Sequence, residues 1–279
     1  MICKWQELQS VLPVNLREFF PETISGEATE IRLHLGQKIQ LVKRGVCFTI
    51  NHITTIDDLN FIVNTASKYS PWTSTTTAEG FLTAAGGHRI GLCGNMIVKD
   101  NIVTGIRQLG SICIRIAKDY PGCSTSIPID HSILILGAPG AGKTTLMRDL
   151  IRRTSQEHFI SVIDDRGELF PKTSTGYCFD PGSRTDVLSA CSKRNGVSML
   201  LRSMGPEYIS MDEITSQEDT DALISACWCG VKLFATAHAA SVYDLQNRPI
   251  YKPLVSCGVF RYAIVLQRGN NYKYERIPL

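Results

Sequence analysis

The sequence lacks a long apolar run, and its first residues do not resemble a signal peptide. No window approaches the roughly 18 consecutive apolar residues of a membrane span. The opening residues MICKWQELQS contain neither the basic block nor the apolar block of a secretory leader. We therefore expect a cytoplasmic protein.

Paired cysteines and a strong charge of one sign are also missing. The ten cysteines are scattered without a CxxC pair, so we expect mostly reduced, buried thiols rather than disulfides or zinc ligands. A formal net charge of +3 over 279 residues favours neither nucleic acid nor an anionic membrane as a partner. Binding partners must therefore be inferred from individual sites.

Residues 1–120 carry the pattern of a small α+β domain. A helical period runs over residues 1–20, where Pro21 ends it, and a second one runs over residues 56–70. Alternating apolar residues begin at Glu30, and short strands punctuated by glycines follow residue 80. These patterns predict helices and a meander of strands.

The character of the chain changes after a turn-rich linker, which we place at residues 121–130. Beyond it, over residues 131–279, short apolar runs alternate with helix-compatible stretches, which is typical of buried parallel strands. The runs cover residues 133–136, 159–163, 208–211, 231–235 and 262–266. We predict an α/β fold with a mostly parallel, doubly wound sheet that ends in a C-terminal hairpin.

The strongest motif is GAPGAGKT, which follows the first of these strands and precedes an amphipathic stretch. Glycines let backbone amides face phosphate groups, and the helix start adds the positive end of its dipole. Lys143 would contact the β- and γ-phosphates of ATP, the Thr144 hydroxyl would coordinate Mg²⁺, and Thr145 would pack or contact the α-phosphate. The predicted nucleotide-binding residues are Gly137, Ala138, Pro139, Gly140, Ala141, Gly142, Lys143, Thr144 and Thr145.

A second motif, EYISMDEI, places Asp212 and Glu213 at the carboxyl end of a later strand. Asp212 would hold Mg²⁺ through water, and Glu213 would polarise the attacking water. This pair favours an ATP-hydrolysing enzyme over a kinase or a GTPase.

Further polar residues follow two neighbouring strands. Asp164, Asp165 and Glu168 in VIDDRGEL could assist the metal or the water, or could form salt bridges with Arg166. Both interpretations remain open. The run LFATAH brings His238 to the same edge of the sheet, together with a threonine at position 236, where it could sense the γ-phosphate.

Hydrolysis at a subunit interface commonly uses a cation supplied by a neighbouring copy. Any arginine could instead be structural. The candidates are Arg89, Arg107, Arg115, Arg184 and Arg202.

Taken together, these blocks resemble a known family. The runs GAPGAGKTTLMRDLIR, VIDDRGEL, RNGVSMLLRSMGPEYISMDEI and VKLFATAHAASVYDL are similar to the stage III sporulation protein AA family of endospore-forming Firmicutes. The upstream runs EIRLHLGQKIQLV and GGHRIGLCGNMIV extend the resemblance over nearly the whole chain.

That family is similar to the type II and type IV secretion ATPases, cytosolic hexamers with an N-terminal α+β domain and a RecA-like P-loop core. The resemblance implies a Mg²⁺-dependent ATPase in the mother cell, associated peripherally with the membrane. It also implies docking to membrane proteins of the same operon, at the channel between mother cell and forespore.

The resemblance assigns roles to individual residues as well. The acidic box of secretion ATPases falls on residues 164–168, the Walker B box on Asp212 and Glu213, and the histidine box on His238. Among arginines that the N-terminal domain would bring to a neighbour's nucleotide, Arg89 is the first choice. The implied catalytic residues are therefore Glu213, His238, Glu168 and Arg89.

Two residues depart from the family pattern. Asp165 stands where glutamate is usual, and its shorter side chain reaches less far. Ala239 follows the histidine where glycine is common, so its β-carbon could restrict a loop that needs positive φ.

Two other functions remain open. The chain could be a nucleic-acid-binding ATPase, which oligonucleotides would stimulate, although no basic stripe with aromatics supports this reading. It could also be a nucleotide-gated assembly platform with little turnover, which would keep its function after Glu213→Gln.

Overall fold

The computed structural model describes residues 1–67, 80–173, 176–267 and 272–277. The chain forms two compact units. The first, which we call the N-terminal unit, comprises Met1–Asp119 and Pro171–Phe179, and the second, the C-terminal unit, comprises Tyr120–Phe170 and Asp180–Leu279. The last part of the second predicted helix, residues 68–70, lies outside the described residues.

In the N-terminal unit, helical segments precede and follow the first three strands along the chain. They are α1 (Trp5–Val11), α2 (Val14–Arg17), a 3₁₀ turn (Glu22–Ile24) and α3 (Ile56–Ser67). The prediction of one helix over residues 1–20 is wrong, because Pro13 interrupts it. A residue before proline is disfavoured in helical conformation, and Leu12 is extended with ψ 143°.

A six-stranded antiparallel sheet completes this unit, in the order β3-β2-β1-β6-β5-β4. Its strands are β1 (Ala28–His34), β2 (Lys38–Lys43), β3 (Val46–Ile53), β4 (Phe81–Thr83), β5 (Arg89–Lys99) and β6 (Ile102–Arg115). Trp5 and Leu8 of α1 share one hydrophobic core with Ile31 and Leu33 of β1 and with Leu59 of α3. Alternate strand residues therefore face the helices, as the alternating pattern predicts.

The remaining elements are β7 (Ile133–Leu136), α4 (Lys143–Thr154), β8 (Ile160–Asp164), β9 (Lys172–Thr173), β10 (Gly176–Tyr177), β11 (Thr185–Ser189), α5 (Lys193–Ser203), β12 (Tyr208–Met211), α6 (Gln217–Trp228), β13 (Lys232–Ala237), α7 (Val242–Asn247), α8 (Lys252–Ser256), β14 (Tyr262–Leu266) and β15 (Tyr272–Arg276). Strands β9 and β10 form a ribbon that belongs to the N-terminal unit. The rest belong to the C-terminal unit.

The sheet of the C-terminal unit has the order β11-β8-β12-β13-β7-β14-β15. All neighbouring strands are parallel except β14 and β15, which form the predicted terminal antiparallel pair. Every residue of β7, β8 and β12 is buried, as expected of strands covered on both faces. The observed architecture confirms the predicted α/β class with a mostly parallel sheet.

The strand order brings the candidate motifs to one edge. Strand β13 lies between β12 and β7, and β8 lies on the other side of β12. Because these strands are parallel, their carboxyl ends meet along the same edge of the sheet, where ligands bind in open α/β sheets. The loops that follow β7, β8, β12 and β13 therefore converge.

The segment before β7 is docked on helix α4 by polar contacts. The Asp149 carboxylate accepts the amides of Gly122 and Ser124 at 2.9 and 2.8 Å, and the Ser124 hydroxyl at 2.8 Å. Arg153 donates to the carbonyls of Ser124 and Ile127.

None of the helices in the part of the chain that the structure describes has the length and apolar character of a membrane span.

Candidate nucleotide site

The loop between β7 and α4 has the backbone that an anion-binding turn needs. Gly140 and Gly142 have φ of 74° and 96°, values that residues with a β-carbon rarely adopt. Gly142 is the N-cap residue of α4, so the loop runs directly into a helix start. Amides at a helix N-terminus attract phosphate oxygens.

Lys143 lies folded over this loop. Its Nζ donates to the carbonyls of Gly137 and Ala138 at 3.0 and 3.1 Å, and lies 3.1 Å from Nδ1 of His238. Burial lowers the pKa of Lys143, although the charges of Glu213 and Asp212 act in the opposite direction. The loop lysine and the histidine after β13 are thus brought together.

Asp212 connects two hydroxyl groups. Its Oδ2 accepts the Thr144 hydroxyl at 2.9 Å, and its Oδ1 accepts the Thr236 hydroxyl at 2.5 Å. The carboxylate is almost fully buried. A hydroxyl beside a carboxylate supplies the hard oxygen ligands that Mg²⁺ prefers, so the residues present fit this metal.

Glu213 has an unusual backbone and two charged neighbours. Its φ is 47°, and its amide donates to the Thr236 hydroxyl at 2.8 Å. Oε1 lies 2.9 Å from Nε2 of His238, and Oε2 accepts Nη1 of Arg166 at 2.7 Å. Burial alone would raise the pKa of Glu213, but the His238 hydrogen bond and the charges of Arg166 and Lys143 outweigh it and lower the pKa.

His238 therefore links the phosphate loop to the acidic pair. A neutral imidazole with its proton on Nε2 accepts from Lys143 and donates to Glu213, so one tautomer satisfies both contacts. Ala239 is absent from the described non-glycine residues with positive φ. The strain expected from its β-carbon does not arise.

The acidic segment, residues 164–168, contains carboxylates with different partners. Asp164 is buried and accepts the amides of Glu168, Leu169 and Phe170 at 2.8, 3.2 and 2.8 Å. Burial raises the pKa of Asp164, while these amide bonds oppose the rise. This carboxylate organises its own loop.

The other charges of the segment face a narrow cleft. Arg166 pairs with Glu213 rather than with the two preceding aspartates. Asp165 lies 3.8 Å from the Lys193 ammonium. The cleft is lined by Asp164, Asp165, Arg166, Glu168, Asp212 and Glu213.

The arginine candidates are distributed over both units. Arg89 lies on β5 of the N-terminal unit, where its guanidinium carbon is 3.8 Å from the Phe81 ring centroid. Arg107 and Arg115 lie on β6 of the same unit. In the C-terminal unit, Arg184 donates to the Glu157 carbonyl and Arg202 donates to Ser198.

The structure thus assembles Lys143, Thr144, Asp212, Glu213, Thr236 and His238 into one hydrogen-bonded network. Two residues that contact this network through Glu213 were not singled out from sequence. Arg166 was considered only as a partner of the acidic segment, and Lys193 carries no motif that would identify it. We call this network, with the loop residues 137–145, the candidate nucleotide site.

Comparison with known proteins gives a consistent result along the chain. The family model for sporulation stage III, protein AA matches residues 3–274. Stage III sporulation protein AA of Bacillus subtilis strain 168 is 35% identical over 279 aligned positions, which cover 94% of this chain and 91% of that protein.

Two solved structures share the fold. The Legionella pneumophila ATPase DotB has a TM-score of 0.57 at 17% identity, covering 95% of this chain and 80% of its own. The pilus retraction motor PilT with bound ADP has a TM-score of 0.59 at 16% identity, covering 92% of this chain and 82% of its own. The predicted RecA-like core with a smaller N-terminal α+β domain is confirmed.

Proposed function

The chain belongs to the stage III sporulation protein AA family, and from that membership we propose that it is a Mg²⁺-dependent ATPase. Its hydrolysis cycle would power or gate a membrane-associated, secretion-like assembly between mother cell and forespore. The observation that carries this proposal is the continuous network that joins the phosphate-loop lysine to the acidic pair through His238.

Each part of the network has a distinct task. The backbone N–H groups of residues 137–145 other than Pro139, and the Lys143 ammonium, bind the phosphates of the substrate ATP. Thr144 and Asp212 would hold Mg²⁺, which supplies positive charge against the phosphoryl oxygens when bound. The Thr236 hydroxyl bonds both Asp212 and the amide of Glu213, so it fixes the two acids relative to each other.

Glu213 carries the chemical step. Its carboxylate takes a proton from water while the water oxygen attacks the γ-phosphorus, and the bond to ADP breaks. Because the pKa of Glu213 is lowered, the carboxylate is ionised and ready to accept that proton at neutral pH. His238, bonded to Glu213 and Lys143, would sense the γ-phosphate. Glu168 would assist from the cleft, and Arg89 of a neighbouring copy would supply a cation.

The assembly part of the proposal follows the family. Residues 1–120 would form the N-terminal domain, together with Pro171–Phe179 of the same compact unit. Residues 121–130 would form the linker, and the rest of residues 131–279 the ATPase domain of a homohexamer. The protein would act in the mother-cell cytoplasm and reach the membrane through membrane proteins of the same operon. A nucleic-acid partner is not part of the proposal.

Three variants test the hydrolysis step. We expect the wild type to release phosphate from ATP only with Mg²⁺, and Lys143→Ala to lose binding of fluorescent ADP. Glu213→Gln should keep ADP binding and lose about 100-fold or more in kcat, because the proton acceptor is gone. Glu218→Gln, an exposed glutamate on α6, is the matched control and should behave as the wild type.

Two results would contradict the proposal. One is a wild-type protein without Mg²⁺-dependent phosphate release. The other is full turnover in Glu213→Gln, which would show that the Glu213 carboxylate is not the proton acceptor.

A further inference from the structure

A buried lysine lies beside the candidate nucleotide site without a role in the proposed reaction. Lys193 is only 4% exposed and is the first residue of α5. A cation is unfavourable at the positive end of a helix dipole, and burying an ammonium group costs free energy unless it is paired. Its position therefore depends on compensating contacts.

The Lys193 ammonium contacts three segments of the C-terminal unit. It donates to the carbonyl oxygen of Glu213 at 2.5 Å and to Oδ2 of Asp219 at 3.4 Å. It also lies 3.8 Å from Oδ2 of Asp165. These acceptors belong to the turn after β12, the start of α6 and the acidic segment after β8.

The contact between Lys193 and the Glu213 carbonyl lies at a residue with a strained backbone conformation. A left-handed conformation costs a residue with a β-carbon about 1–2 kcal/mol, and Glu213 has φ 47°. A donor on its carbonyl oxygen fixes the orientation of the peptide group that follows it. The direction of the side chain, towards His238 and Arg166, depends on this backbone.

Asp219 holds the same turn from the other side. Its Oδ2, which contacts Lys193, also accepts the amides of Thr215 and Ser216 at 2.9 and 3.2 Å. The side chain of Ser216 accepts the Asp219 amide at 3.1 Å and completes a capping box at the start of α6. Lys193 thus binds the carbonyl oxygen of Glu213, and Asp219, which contacts Lys193, binds the amides of the two residues after Ile214.

We propose that Lys193 is a positioning residue that holds the Glu213 backbone in its left-handed conformation and ties it to Asp165 of the acidic segment. This role rests on the proposed hydrolysis, because it explains how Glu213, the proposed proton acceptor, is held in position. Lys193 acts through Glu213 and need not contact ATP.

Substitutions that separate charge from length test this role. Lys193→Met keeps most of the side-chain length and removes the charge, and Lys193→Arg keeps the charge. Lys252→Met is the matched control, because Lys252 is also the first residue of a helix, α8, but is exposed. Phosphate release, fluorescent ADP binding and amide hydrogen exchange over residues 212–217 are measured for each protein.

We expect Lys193→Met to lose about 10- to 100-fold in kcat, the scale of a small misplacement of a catalytic group. KM and the Kd for ADP should stay within about threefold, since the phosphate loop does not contact Lys193. The amides of Thr215 and Ser216 should exchange at least tenfold faster. Lys193→Arg should regain part of kcat, and Lys252→Met should match the wild type.

The outcomes distinguish this proposal from the one on which it rests. A wild type that releases no phosphate overturns both. A wild type that turns over, with Lys193→Met within twofold of its kcat, overturns the role of Lys193 alone, as does a parallel loss of kcat and ADP binding. If Lys193→Met does not fold, Lys193→Gln is used, and an unchanged kcat there overturns the role equally.

Discussion

At the residue scale, His88 shows how burial can select one protonation state. It is fully buried in the N-terminal unit. Its Nε2 lies 2.9 Å from the Lys4 carbonyl, and its Nδ1 accepts the amide of Ala117 at 3.1 Å. The neutral ring with a proton on Nε2 satisfies both partners, whereas an imidazolium would leave the Ala117 amide facing a second donor.

Acid should therefore destabilise the protein through His88. Burial lowers the pKa of His88 below its ordinary value of 6.5, so the unfolded chain takes up the proton first as the pH falls. We expect the free energy of unfolding to decrease as the pH falls below about 6.5, until the folded-state pKa is reached. Thermal unfolding at pH 7.5 and 5.5 measures this.

His88→Gln should be less stable at pH 7.5 but should show a smaller drop between the two pH values. His34→Gln is the control, because His34 lies partly exposed on β1. An unchanged pH dependence in His88→Gln would contradict the assignment.

The sequence identifies those residues of the candidate site that belong to a recognisable motif. Lys143, Thr144 and the Asp212–Glu213 pair follow strands at fixed positions, and parallel strands bring their ends together. Whether Asp164 binds a metal or its own loop depends on which amides face it. The sequence also cannot indicate that Lys193 points inward.

At the element scale, helix α4 does more than present the phosphate loop. Its first turn carries Lys143 and Thr144, and its second turn carries Asp149, which binds the segment before β7. The same carboxylate accepts Nη1 of Arg152 at 3.1 Å. Helix α4 thus contributes residues to the phosphate loop at its N-terminus and binds the segment before β7 through Asp149.

Removing the charge of Asp149 should loosen that attachment. In Asp149→Asn, the amide group would face the N–H donors that now bond the carboxylate, so at least one buried donor loses its acceptor. We expect the free energy of unfolding to decrease by about 1.5–3 kcal/mol, the scale of a hydrogen bond to a charged group. Urea denaturation measures the change.

The control for this change is Glu157→Gln, an exposed carboxylate just beyond α4. It should alter the free energy of unfolding by less than about 0.5 kcal/mol. Equal stability of Asp149→Asn and the wild type would show that the connector is not held by this carboxylate.

The elements of the C-terminal unit could be predicted better than those of the N-terminal unit for a physical reason. Strands buried on both faces have mostly apolar sequences, as in β7, which is apolar throughout, and in β12, which is interrupted only by Ser210. The period over residues 1–20 instead continues across Pro13, because residues on both sides of the break pack into the same core. Hydrophobic periodicity indicates which residues are buried, but it does not indicate whether the helix between them is interrupted.

At the scale of the whole molecule, the proposed hexamer makes a direct prediction. Light scattering should give about six times the chain mass of 30.9 kDa with Mg²⁺ and ATP, and a smaller mass without them. Glu213→Gln, which should bind ATP and not hydrolyse it, should keep the larger species for longer.

Lys143→Ala should fail to form that species, since it cannot bind the nucleotide. A wild type that remains monomeric under all of these conditions would contradict the hexamer and leave the hydrolysis proposal to its own test.

The path of the chain through the two units has a practical consequence. Pro171–Phe179 belongs to the N-terminal unit although Tyr120–Phe170 precedes it in the C-terminal unit. A β-carbon placed on Gly87 would lie 3.1 Å from the Cys178 side chain and 3.2 Å from the Phe179 ring, so this segment packs closely on its unit. Proteolysis between residues 119 and 120 would therefore separate residues 1–119 from a segment of their own unit, because Pro171–Phe179 would remain on the larger fragment.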